Sequence, residues 1–476
     1  MERVHCIHRL AVPLQFPAGL APGSGKGLSN ELVLSRDGSG RPVLRGSALA
    51  GCLRHAYARV RGLAVDPLRP GPEIRRYFGE AIGSDRGHES PLRVADCLLE
   101  IGASMIAQRN HNAIDRHQGG PRDKSLFRLQ ALPPGTRTTA ILVLDSDEPE
   151  AKEFLAQLVG LFAAGLTVGG SVARGIGIAE IAGEPRYRRF ALHLPQDRAD
   201  WLDESWAWRD PKGHRAPWSG EVLRPAAVAR DLVLELRLAV PRGQDLCVAD
   251  GRGVEHEAEP QCVQHADGHL RWRIPGSSLR GVMRSWITRL AAREGALVRD
   301  SLARFHKDGP AKGDEFGWGF RGKEERDRIQ QHLRDDPGSL AMVLDCPVER
   351  LFGTLFHASR IQFTDALSVE VADREKHAQV RMHVGIDRIS GGANDGLLFD
   401  HLALLPGVEF RCKITVRNAE QHEVQWLVQT FRAMDLGLLH FGSSKSTGRL
   451  KLVAPVLARG PHAELFETLQ KKEDTR

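Results

Sequence analysis

The sequence predicts an α+β protein that contains two related domains in tandem, and three observations predict this fold class. First, the segment RNHNAIDRHQGGPRDKSLF at residues 109–127 returns at residues 381–399 as RMHVGIDRISGGANDGLLF, with ten of nineteen positions identical and no gap. Second, a chain of 476 residues is longer than one hydrophobic core usually supports. Third, both halves follow the same order of predicted strands and helices, as expected of an internal duplication.

The composition is that of an ordinary globular protein with a basic surplus. Hydrophobic residues make up 41% and charged residues 26% of the chain, and the net charge is +6. Arginine greatly outnumbers lysine, and its planar guanidinium suits phosphate groups, so an acidic partner is indicated. The seven cysteines include no Cys-x-x-Cys pair, which argues against a zinc site or a disulfide framework. The polar N-terminus and the lack of a long apolar run predict a cytoplasmic protein without membrane contact.

Each half is predicted to begin with a strand, a hairpin and a helix. Residues 2–13 alternate loosely and end at Pro13, as an opening strand does, and residues 37–40 give a hairpin turn signal. Ser47 is the expected N-cap of the helix that follows. In the second half, the matching stretch RIPGSSLRGVMRSWITRLAAREG at residues 273–295 predicts the same helix.

The repeated segments 109–127 and 381–399 are polar and basic, contain a Gly-Gly pair and lack helical or strand periodicity. This composition predicts long exposed loops, and loops of this length are usually functional or disordered. An alternating edge strand, a helix and a glycine-rich segment are predicted to follow, at 136–146, 150–164 and 165–181 and again at 408–418, 420–435 and 437–453. The order is close to β-α-β-β-α-β, the ferredoxin-like arrangement.

The matched segments divide the chain into a first domain at 1–188, a connector at 189–228 and a second domain at 229–476. The connector holds Trp201, Trp206, Trp208 and Trp218, half of the eight tryptophans. So many tryptophans predict a segment that packs on one domain, with a base-stacking platform as the alternative. The offset between matched residues grows from 230 at the helix to 272 at the loop, which predicts an insert near 294–345.

The glycine-serine pair at the start of each helix leaves backbone N–H groups unpaired and predicts an anion site, with a plain helix cap as the alternative. Arginines follow on both helices and support phosphate contacts. The residues predicted to bind phosphate at these two helices are Gly46, Ser47, Arg54, Gly276, Ser277, Ser278, Arg280 and Arg284.

Four motifs resemble those of the RAMP superfamily of CRISPR-associated proteins: IPGSSLRG before a helix, LFG, the ID-R-x-x-GG loop and the C-terminal glycine-rich loop. In the first half, RGSALAG replaces the usual proline-led motif. The chain is most similar to the backbone subunits of type III effector complexes, in the fused double form of subtype III-D-like complexes. The resemblance implies two modified RNA-recognition-motif domains with long thumb loops. It also implies crRNA, target RNA and other effector subunits as partners.

In that family the helix-bearing palm holds guide RNA, and the thumb wedges between guide and target. The resemblance assigns the thumbs to 109–127 and 381–399, with arginines on phosphates and histidines on bases. Asp115 and Asp387 are expected to orient neighbouring arginines. The alternative is a salt-bridged loop that only joins adjacent subunits. The implied RNA-binding residues outside the helices are Arg109, His111, Arg116, Gly170, Ser171, Arg174, Arg381, His383, Arg388, Gly442, Ser443 and Lys445.

Family members that cut target RNA use an aspartate on the loop ahead of an I-x-R/K-D strand, which residues 34–37 resemble. Such an acid could act as a base on a 2′-hydroxyl or hold Mg²⁺ or Mn²⁺. Asn30 and Glu31 stand there and depart from the pattern. In the second half the candidates are Asp250, Glu257 and Glu259, with a solvated acidic loop as the alternative. Asp37 and Asp267 are expected to serve hairpin turns.

Three functions therefore follow from the residues and the resemblance. The leading hypothesis is a guide-RNA-binding backbone subunit that holds crRNA and target RNA, with metal-dependent cleavage of the target as a further activity. The second is a purely structural RNA-binding subunit whose acidic loops are inert. The third is an endoribonuclease that processes CRISPR transcripts, against which the two long thumbs argue.

Overall fold

The computed structural model describes residues 5–26, 32–63, 71–80, 88–99, 101, 105–111, 127–170, 175–207, 220–228, 231–249, 253, 255–298, 345–353, 358–387, 389–442 and 447–474. Strands and helices are mixed in both halves, and the sheets are largely antiparallel. Most of the predicted insert near 294–345 lies outside the described residues. Within the described part of the chain, no helix is long and apolar enough to cross a membrane.

The first half is built on a seven-stranded sheet. The strands of the first half, inside and outside this sheet, are β1 (Cys6–Phe16), β2 (Gly23–Lys26), β3 (Leu32–Leu34), β4 (Val43–Leu44), β5 (Leu92–Val94), β6 (Cys97–Leu98), β7 (Ala107–His111), β8 (Phe127–Ala131), β9 (Thr136–Asp145), β10 (Leu166–Thr167), β11 (Ile178–Ile181), β12 (Arg186–Ala191) and β13 (Glu221–Val222). Its helices are α1 (Gly46–Arg61), α2 (Pro72–Phe78), α3 (Ala151–Ala163) and α4 (Pro195–Ala207). Strands β2, β3, β7 and β8 form a separate small sheet, and β4 pairs with β6.

The second half is built on an eight-stranded sheet. The strands of the second half, inside and outside this sheet, are β14 (Asp231–Ala239), β15 (Cys262–Gln264), β16 (Leu270–Ile274), β17 (Ile361–Phe363), β18 (Ala366–Ser368), β19 (Ala378–Ile386), β20 (Ala393–Leu404), β21 (Glu409–Arg417), β22 (Lys451–Leu452) and β23 (Leu457–Arg459). Its helices are α5 (Gly276–Arg293), α6 (Pro347–Phe352), α7 (Arg374–His377), α8 (Gln421–Asp435) and α9 (Ala463–Asp474). Strands β19 and β20 form a separate two-stranded sheet.

The two sheets share one strand order. In the first half the order is β11-β1-β9-β5, and in the second it is β22-β14-β21-β17. Strands β9 and β21 are therefore inner strands, so the prediction of edge strands is wrong. Both strands alternate in sequence, but each is paired along both of its sides. Strand β1 also continues through Pro13 to Phe16 rather than ending at Pro13.

Each half has its own hydrophobic core. In the first, Leu10 and Leu142 of the sheet pack with Leu53 of α1 and Leu158 of α3, all fully buried. In the second, strand β14, α5 and α8 contribute in the same way. Helices α3 and α8 agree with the predicted helices at 150–164 and 420–435. Apolar residues repeat every three to four positions in these helices, so one side of each is buried against the sheet.

The described part of the connector lies on the first half. Strand β13 pairs with β12, and the ring of Trp201 lies 5.3 Å from that of Phe190. Leu223 is buried in the first core, and the Ala226 N–H donates to Ala156 O at 3.0 Å. Trp208 and Trp218 lie outside the described residues.

The two halves also contact each other directly. The Arg59 guanidinium of α1 lies 2.9 Å from the Asp231 carboxylate of β14, and Lys413 of β21 pairs with Glu180 of β11. The turn that contains Gly135 packs on the turn that begins at His265. In the described residues, two cores thus meet across a polar contact surface.

Helices α1 and α5 both begin at a glycine because the neighbouring chain runs too close for a side chain. A Cβ on Gly46 would lie 2.0 Å from Val94 O, and a Cβ on Gly276 would lie 2.4 Å from Phe363 O. The N-cap of α1 is Arg45, in extended conformation, rather than Ser47. The prediction of Ser47 as N-cap is wrong because the cap comes from a distant carboxylate: Asp96 accepts from the Gly46 N–H at 2.7 Å.

Alanine at these two glycines is expected to destabilise the fold. The added methyl group must displace backbone, so Gly46→Ala and Gly276→Ala should each lower the free energy of unfolding by about 1–3 kcal/mol. Gly51 and Gly281 lie in the same helices, and a Cβ on either would have no other atom within 4 Å, so alanine there should raise it by about 0.5–1 kcal/mol. Urea denaturation of the four variants measures the difference, and equal effects at all four would contradict it.

Candidate nucleic-acid interface

The second copy of the repeated segment forms a long β-hairpin. Strands β19 and β20 pair from Ala378↔Leu404 to Ile386↔Ala393, with an irregularity after Val384. The prediction of a loop without strand periodicity is therefore wrong for this copy. The signal was available in the sequence, because Val380, Met382, Val384 and Ile386 occupy every second position.

The tip of this hairpin is closed by Asp387. Its carboxylate accepts from the N–H groups of Ile389 and Ser390 at 2.7 and 2.8 Å. The bond from the Ser390 N–H, followed by that from Ile389, lowers the pKa of Asp387. Asp387 thus serves the turn. The neighbouring Arg388 lies outside the described residues, as do Asp115 and Arg116 of the first copy.

One face of the hairpin carries a stack of planar rings. The His383 ring lies between those of Phe399 and His401, at centroid distances of 5.1 and 4.7 Å and interplanar angles of 16° and 11°. His383 Nε2 and His401 Nδ1 share a hydrogen bond of 2.9 Å. Burial, followed by the neighbouring His383, lowers the pKa of His401. This stack is the part of the hairpin chemically suited to nucleobases, which bind aromatic and imidazole rings face to face.

Arg381 begins the same face at the base of the hairpin. Its Nε donates to the Asp245 carboxylate at 2.8 Å, and its side chain is 40% exposed. The opposite face is aliphatic and open to solvent, an arrangement that the sequence reasoning missed. Its exposed members are Val380, Met382, Val384 and Ile386.

The first copy places its arginine differently. Strands β7 and β8 pair from Ala107↔Ala131 to His111↔Phe127, and residues 112–126 lie outside the described residues. Arg109 is buried, with Nη1 2.6 Å from the Asp365 carboxylate of the second half and side-chain exposures of 3% and 1%. Burial lowers the pKa of Arg109, and Asp365 counteracts this. The prediction of an exposed, phosphate-binding Arg109 is therefore wrong, because the second half covers it.

His111 at the end of β7 is half-buried.

The helix starts are occupied by carboxylates. Asp96 accepts from the Gly46 N–H and pairs with Arg45 at 2.8 Å. Asp365 accepts from the Gly276 N–H at 2.9 Å and also contacts Arg273 at 3.4 Å. A carboxylate at this position satisfies the free N–H and the helix dipole. The prediction that Gly46 and Gly276 offer these N–H groups to phosphate is corrected accordingly.

The hydroxyl residues next to these glycines stay closer to the surface. Ser47 is exposed, and Ser277 and Ser278 are half-buried. The Ser278 N–H donates to Pro275 O at 2.9 Å.

The helix arginines differ between the halves. Arg54 of α1 is half-buried, and its Nη2 has no hydrogen-bond partner in the described part of the chain. Arg280 and Arg284 of α5 both lie over the Phe352 ring, with guanidinium carbons 5.8 Å from its centroid. Arg280 also donates to Phe352 O. The predicted role of α5 arginines at phosphate thus competes with a packing role against the LFG motif.

The glycine-rich segments are described only in part. The exposed Gly170 donates its N–H to Ala21 O at 3.0 Å. Gly442 has a φ of +89°, and a Cβ there would lie 2.1 Å from Cys247 O, so close backbone approach accounts for this glycine. Four predicted RNA-binding residues lie outside the described residues: Ser171, Arg174, Ser443 and Lys445.

Of the acidic candidates of the second half, Glu259 has its carboxylate held in structural contacts. Glu259 accepts from the Glu255 and His256 N–H groups at 2.8 and 3.1 Å and pairs with Arg374. Burial acts to raise the pKa of Glu259, but the two N–H groups and Arg374 together lower it. Glu257 is exposed, and its N–H donates to Asp400 at 3.2 Å.

The Glu259 carboxylate is not arranged to hold a divalent cation. Among the described residues, no group of three or more His, Cys, Asp or Glu side chains could hold a metal ion. The oxygens of Glu259 are taken by N–H groups and a guanidinium, which leaves none for a cation. Asn30, Glu31 and Asp250 lie outside the described residues.

The two turn aspartates act as predicted. Asp37 accepts from the Ser39 N–H, and Asp267 accepts from the His269 N–H, each at 2.9 Å. Their expected role in hairpin turns is confirmed.

One family model matches both halves. The model of the RAMP superfamily matches residues 18–180 and again residues 262–451, which together make up more than half of the chain. The two matches contain helices α1 and α5 and the two repeated segments. Comparison with curated proteins gave no match.

Loss of the buried ion pair is expected to destabilise the protein far more than loss of its exposed counterpart. Arg109→Ala leaves the Asp365 carboxylate buried without its partner, so the free energy of unfolding should fall by about 3–5 kcal/mol. Arg381→Ala at the matching repeat position removes a partly exposed pair and should cost at most about 1 kcal/mol. Denaturant midpoints of the two variants measure these stability losses. A smaller stability loss for Arg109→Ala than for Arg381→Ala would contradict the burial of the Arg109–Asp365 pair.

Acidification is expected to weaken the ring stack. The pKa of His401 is lowered from its ordinary 6.5, so the unfolded chain takes up this proton at higher pH than the folded chain. Folded stability should therefore fall as the pH drops from 6.5 towards the lowered pKa. Imidazole C–H resonances in NMR spectra, with His401→Gln as control, measure the titration. A His401 that titrates above its ordinary pKa would contradict this cause.

Proposed function

This chain belongs to the RAMP superfamily, and on that premise we propose that it is a guide-RNA-binding backbone subunit of a type III CRISPR effector complex. Membership of the superfamily suggests a CRISPR-associated role in RNA binding. The two matched regions supply two units in one chain, so we propose the fused double form. In this function the chain holds crRNA and its complementary target RNA beside other effector subunits.

The ring stack of β19 and β20 is the observation that carries this proposal. His383, Phe399 and His401 lie nearly parallel on a hairpin whose outer residues are exposed. Unpaired bases stack on such rings whatever their sequence, with a contribution of about 1–3 kcal/mol per base. A backbone subunit needs this property, because one protein must accept many guide sequences.

We propose that each half is a ferredoxin-like unit, a modified RNA-recognition motif. The matching strand orders β11-β1-β9-β5 and β22-β14-β21-β17 support this assignment. Helices α1 and α3 in the first half and α5 and α8 in the second pack in the core at matching places in the chain order, which agrees with the β-α-β-β-α-β order. We place the unit boundaries near residues 188 and 229. The connector between them packs on the first half.

Phosphate contacts are proposed for α1. Arg54 lies half-buried on α1, and its guanidinium suits a phosphate group. The net charge of +6 adds a general attraction for RNA. Affinity should therefore fall steeply with salt, because binding releases counterions.

We propose binding without hydrolysis by the described acidic loop. Glu259 is held by Arg374 and two N–H groups, and its lowered pKa makes it a poor base. Target RNA incubated with Mg²⁺ and the assembled complex is therefore expected to stay intact. Regularly spaced cuts that Glu257→Ala or Glu31→Ala removes would instead establish cleavage. The two hairpins also argue against a transcript-processing enzyme, whose relatives usually lack long thumbs.

Removal of the central ring is expected to weaken RNA binding. His383→Ala should lower affinity for single-stranded RNA by about tenfold or more, since the stacking contribution of one base is about 1–3 kcal/mol. His193→Ala serves as the control, because His193 is exposed and lies outside the hairpin. Fluorescence anisotropy with several RNA sequences at low and high salt measures both effects. Equal affinities of the two variants would reject the stack as a base-binding site.

A further inference from the structure

A cation lies beside the rings of the second hairpin, and a carboxylate holds it from one side. Arg381 is directly opposite His401 in the strand pairing, and His383 follows two positions later on the same face. Such neighbours are about 7 Å apart along a strand. Arg381 Nε donates to Asp245 at 2.8 Å, and the Asp245 side chain is 12% exposed against 40% for Arg381. The carboxylate is thus the inner partner, and the guanidinium extends from it towards solvent.

The bond to Asp245 leaves most donors of this guanidinium unused. A guanidinium has N–H donors on Nε and on both Nη atoms, and Asp245 takes only the donor on Nε. Among the residues that the structure describes, neither Nη atom of Arg381 donates to an acceptor. The planar edge between the two Nη atoms can bind a phosphate through two parallel hydrogen bonds. Arg381 therefore keeps its phosphate-binding edge while the other edge is fixed.

Asp245 is itself held in place by backbone hydrogen bonds. Its carbonyl oxygen accepts from the Gly448 N–H at 2.8 Å. The next residue, Leu246, exchanges two backbone hydrogen bonds with Leu404 of β20, at 3.0 and 2.8 Å. The carboxylate is therefore fixed relative to β20, the strand that carries two of the three rings. A guanidinium held by a fixed carboxylate loses little further freedom when a phosphate binds, so less affinity is spent on ordering it.

The first half has glycine where the second half has this carboxylate. Gly19 and Asp245 are equivalent, because the residue after each forms the same isolated bridge, Leu20↔Leu132 in the first half and Leu246↔Leu404 in the second. Gly19 has a φ of +84°, and a Cβ there would lie 2.4 Å from Leu132 O. The first half therefore has no room for a side chain at this position.

The arginine of the first repeat follows another course as a result. Arg109 Nη2 lies 3.4 Å from the position that a Cβ on Gly19 would take. The guanidinium continues past this point to Asp365 of the second half, where it is almost fully enclosed. Glycine thus lets the first arginine pass to the other half, whereas Asp245 keeps the second arginine beside its own hairpin.

We infer that Asp245 is a positioning residue, which presents the Nη edge of Arg381 to an RNA phosphate next to the ring stack. The role rests on the proposed binding of RNA by this hairpin. The ligand is single-stranded RNA, with a base on the rings and a phosphate of the same strand on Arg381. The second hairpin then binds base and phosphate together, whereas the matching Arg109 is enclosed and binds no phosphate.

A carboxylate beside a phosphate site has two opposite effects on RNA affinity. Its negative charge repels the RNA backbone, so removal of the charge alone should strengthen binding. Its hold on the guanidinium favours binding, so removal of a positioning residue should weaken it. The sign of the change in affinity therefore distinguishes a positioning residue from a carboxylate that only repels RNA.

The test is fluorescence anisotropy of the full chain with a labelled single-stranded RNA at one salt concentration. Asp245→Ala should weaken binding by about threefold to tenfold, because Arg381 must then be ordered by the RNA itself. Asp245→Asn keeps an acceptor oxygen for Nε and should restore most of the lost affinity. Glu409→Ala is the matched control, since Glu409 accepts from Arg237 at 2.7 Å in a partly exposed pair outside the hairpin. It should not weaken binding.

A double variant separates positioning from a general effect on the fold. In Arg381→Ala there is no guanidinium to position, so the addition of Asp245→Ala should weaken binding no further. An Asp245→Ala protein that binds RNA as tightly as the unchanged protein, or more tightly, would overturn the inference. So would an equal loss with and without Arg381, or an equal loss in Glu409→Ala.

His383→Ala in the same assay separates this role from the proposed function. A loss of affinity in His383→Ala alone would support base stacking and overturn the positioning role of Asp245. A loss in Asp245→Ala alone would support the positioned phosphate contact and reject the ring stack as a base-binding site.

Discussion

The buried ion pair between Arg109 and Asp365 is the interaction on which the arrangement of the two halves depends. Its two groups come from different halves and are almost fully enclosed. Desolvation of both charges is costly, and the pair persists because Asp365 also accepts from the Gly276 N–H and contacts Arg273. One carboxylate thus caps a helix and fixes the neighbouring half at the same time.

This arrangement gives the two copies of the repeat different roles. In the first copy, the arginine lies between the halves, and its hairpin base belongs to the contact surface. In the second copy, the arginine is partly exposed, and the ring stack extends beyond it. Duplication supplied two units with the same repeated segment. Their docking in one chain buries the arginine of the first copy and leaves that of the second partly exposed. The internal contact leaves the ring-bearing hairpin of the second half uncovered.

The sequence predicted the duplication, the main helices and the turn aspartates, because these depend on local pattern and on identity between the halves. The predictions that failed concern residues whose environment is set by segments far away in the sequence. Arg109 looks exposed among polar neighbours, and only the fold shows that Asp365 covers it. Gly46 and Gly276 resemble anion-binding glycines, but glycine is required there because a carbonyl group from another strand leaves no room for a side chain. The hairpin was missed because its polar residues masked the alternation from Val380 to Ile386.

The double duty of Asp365 has a consequence for the order in which the protein acquires its structure. Synthesis delivers the first half before the second, and domains generally fold as they emerge. The completed first half therefore presents Arg109 to water until the chain around Asp365 has been made. Docking then removes water from the guanidinium and secures the start of α5 in a single event. The first half thereby becomes a folded template on which the second half, synthesised later, is assembled.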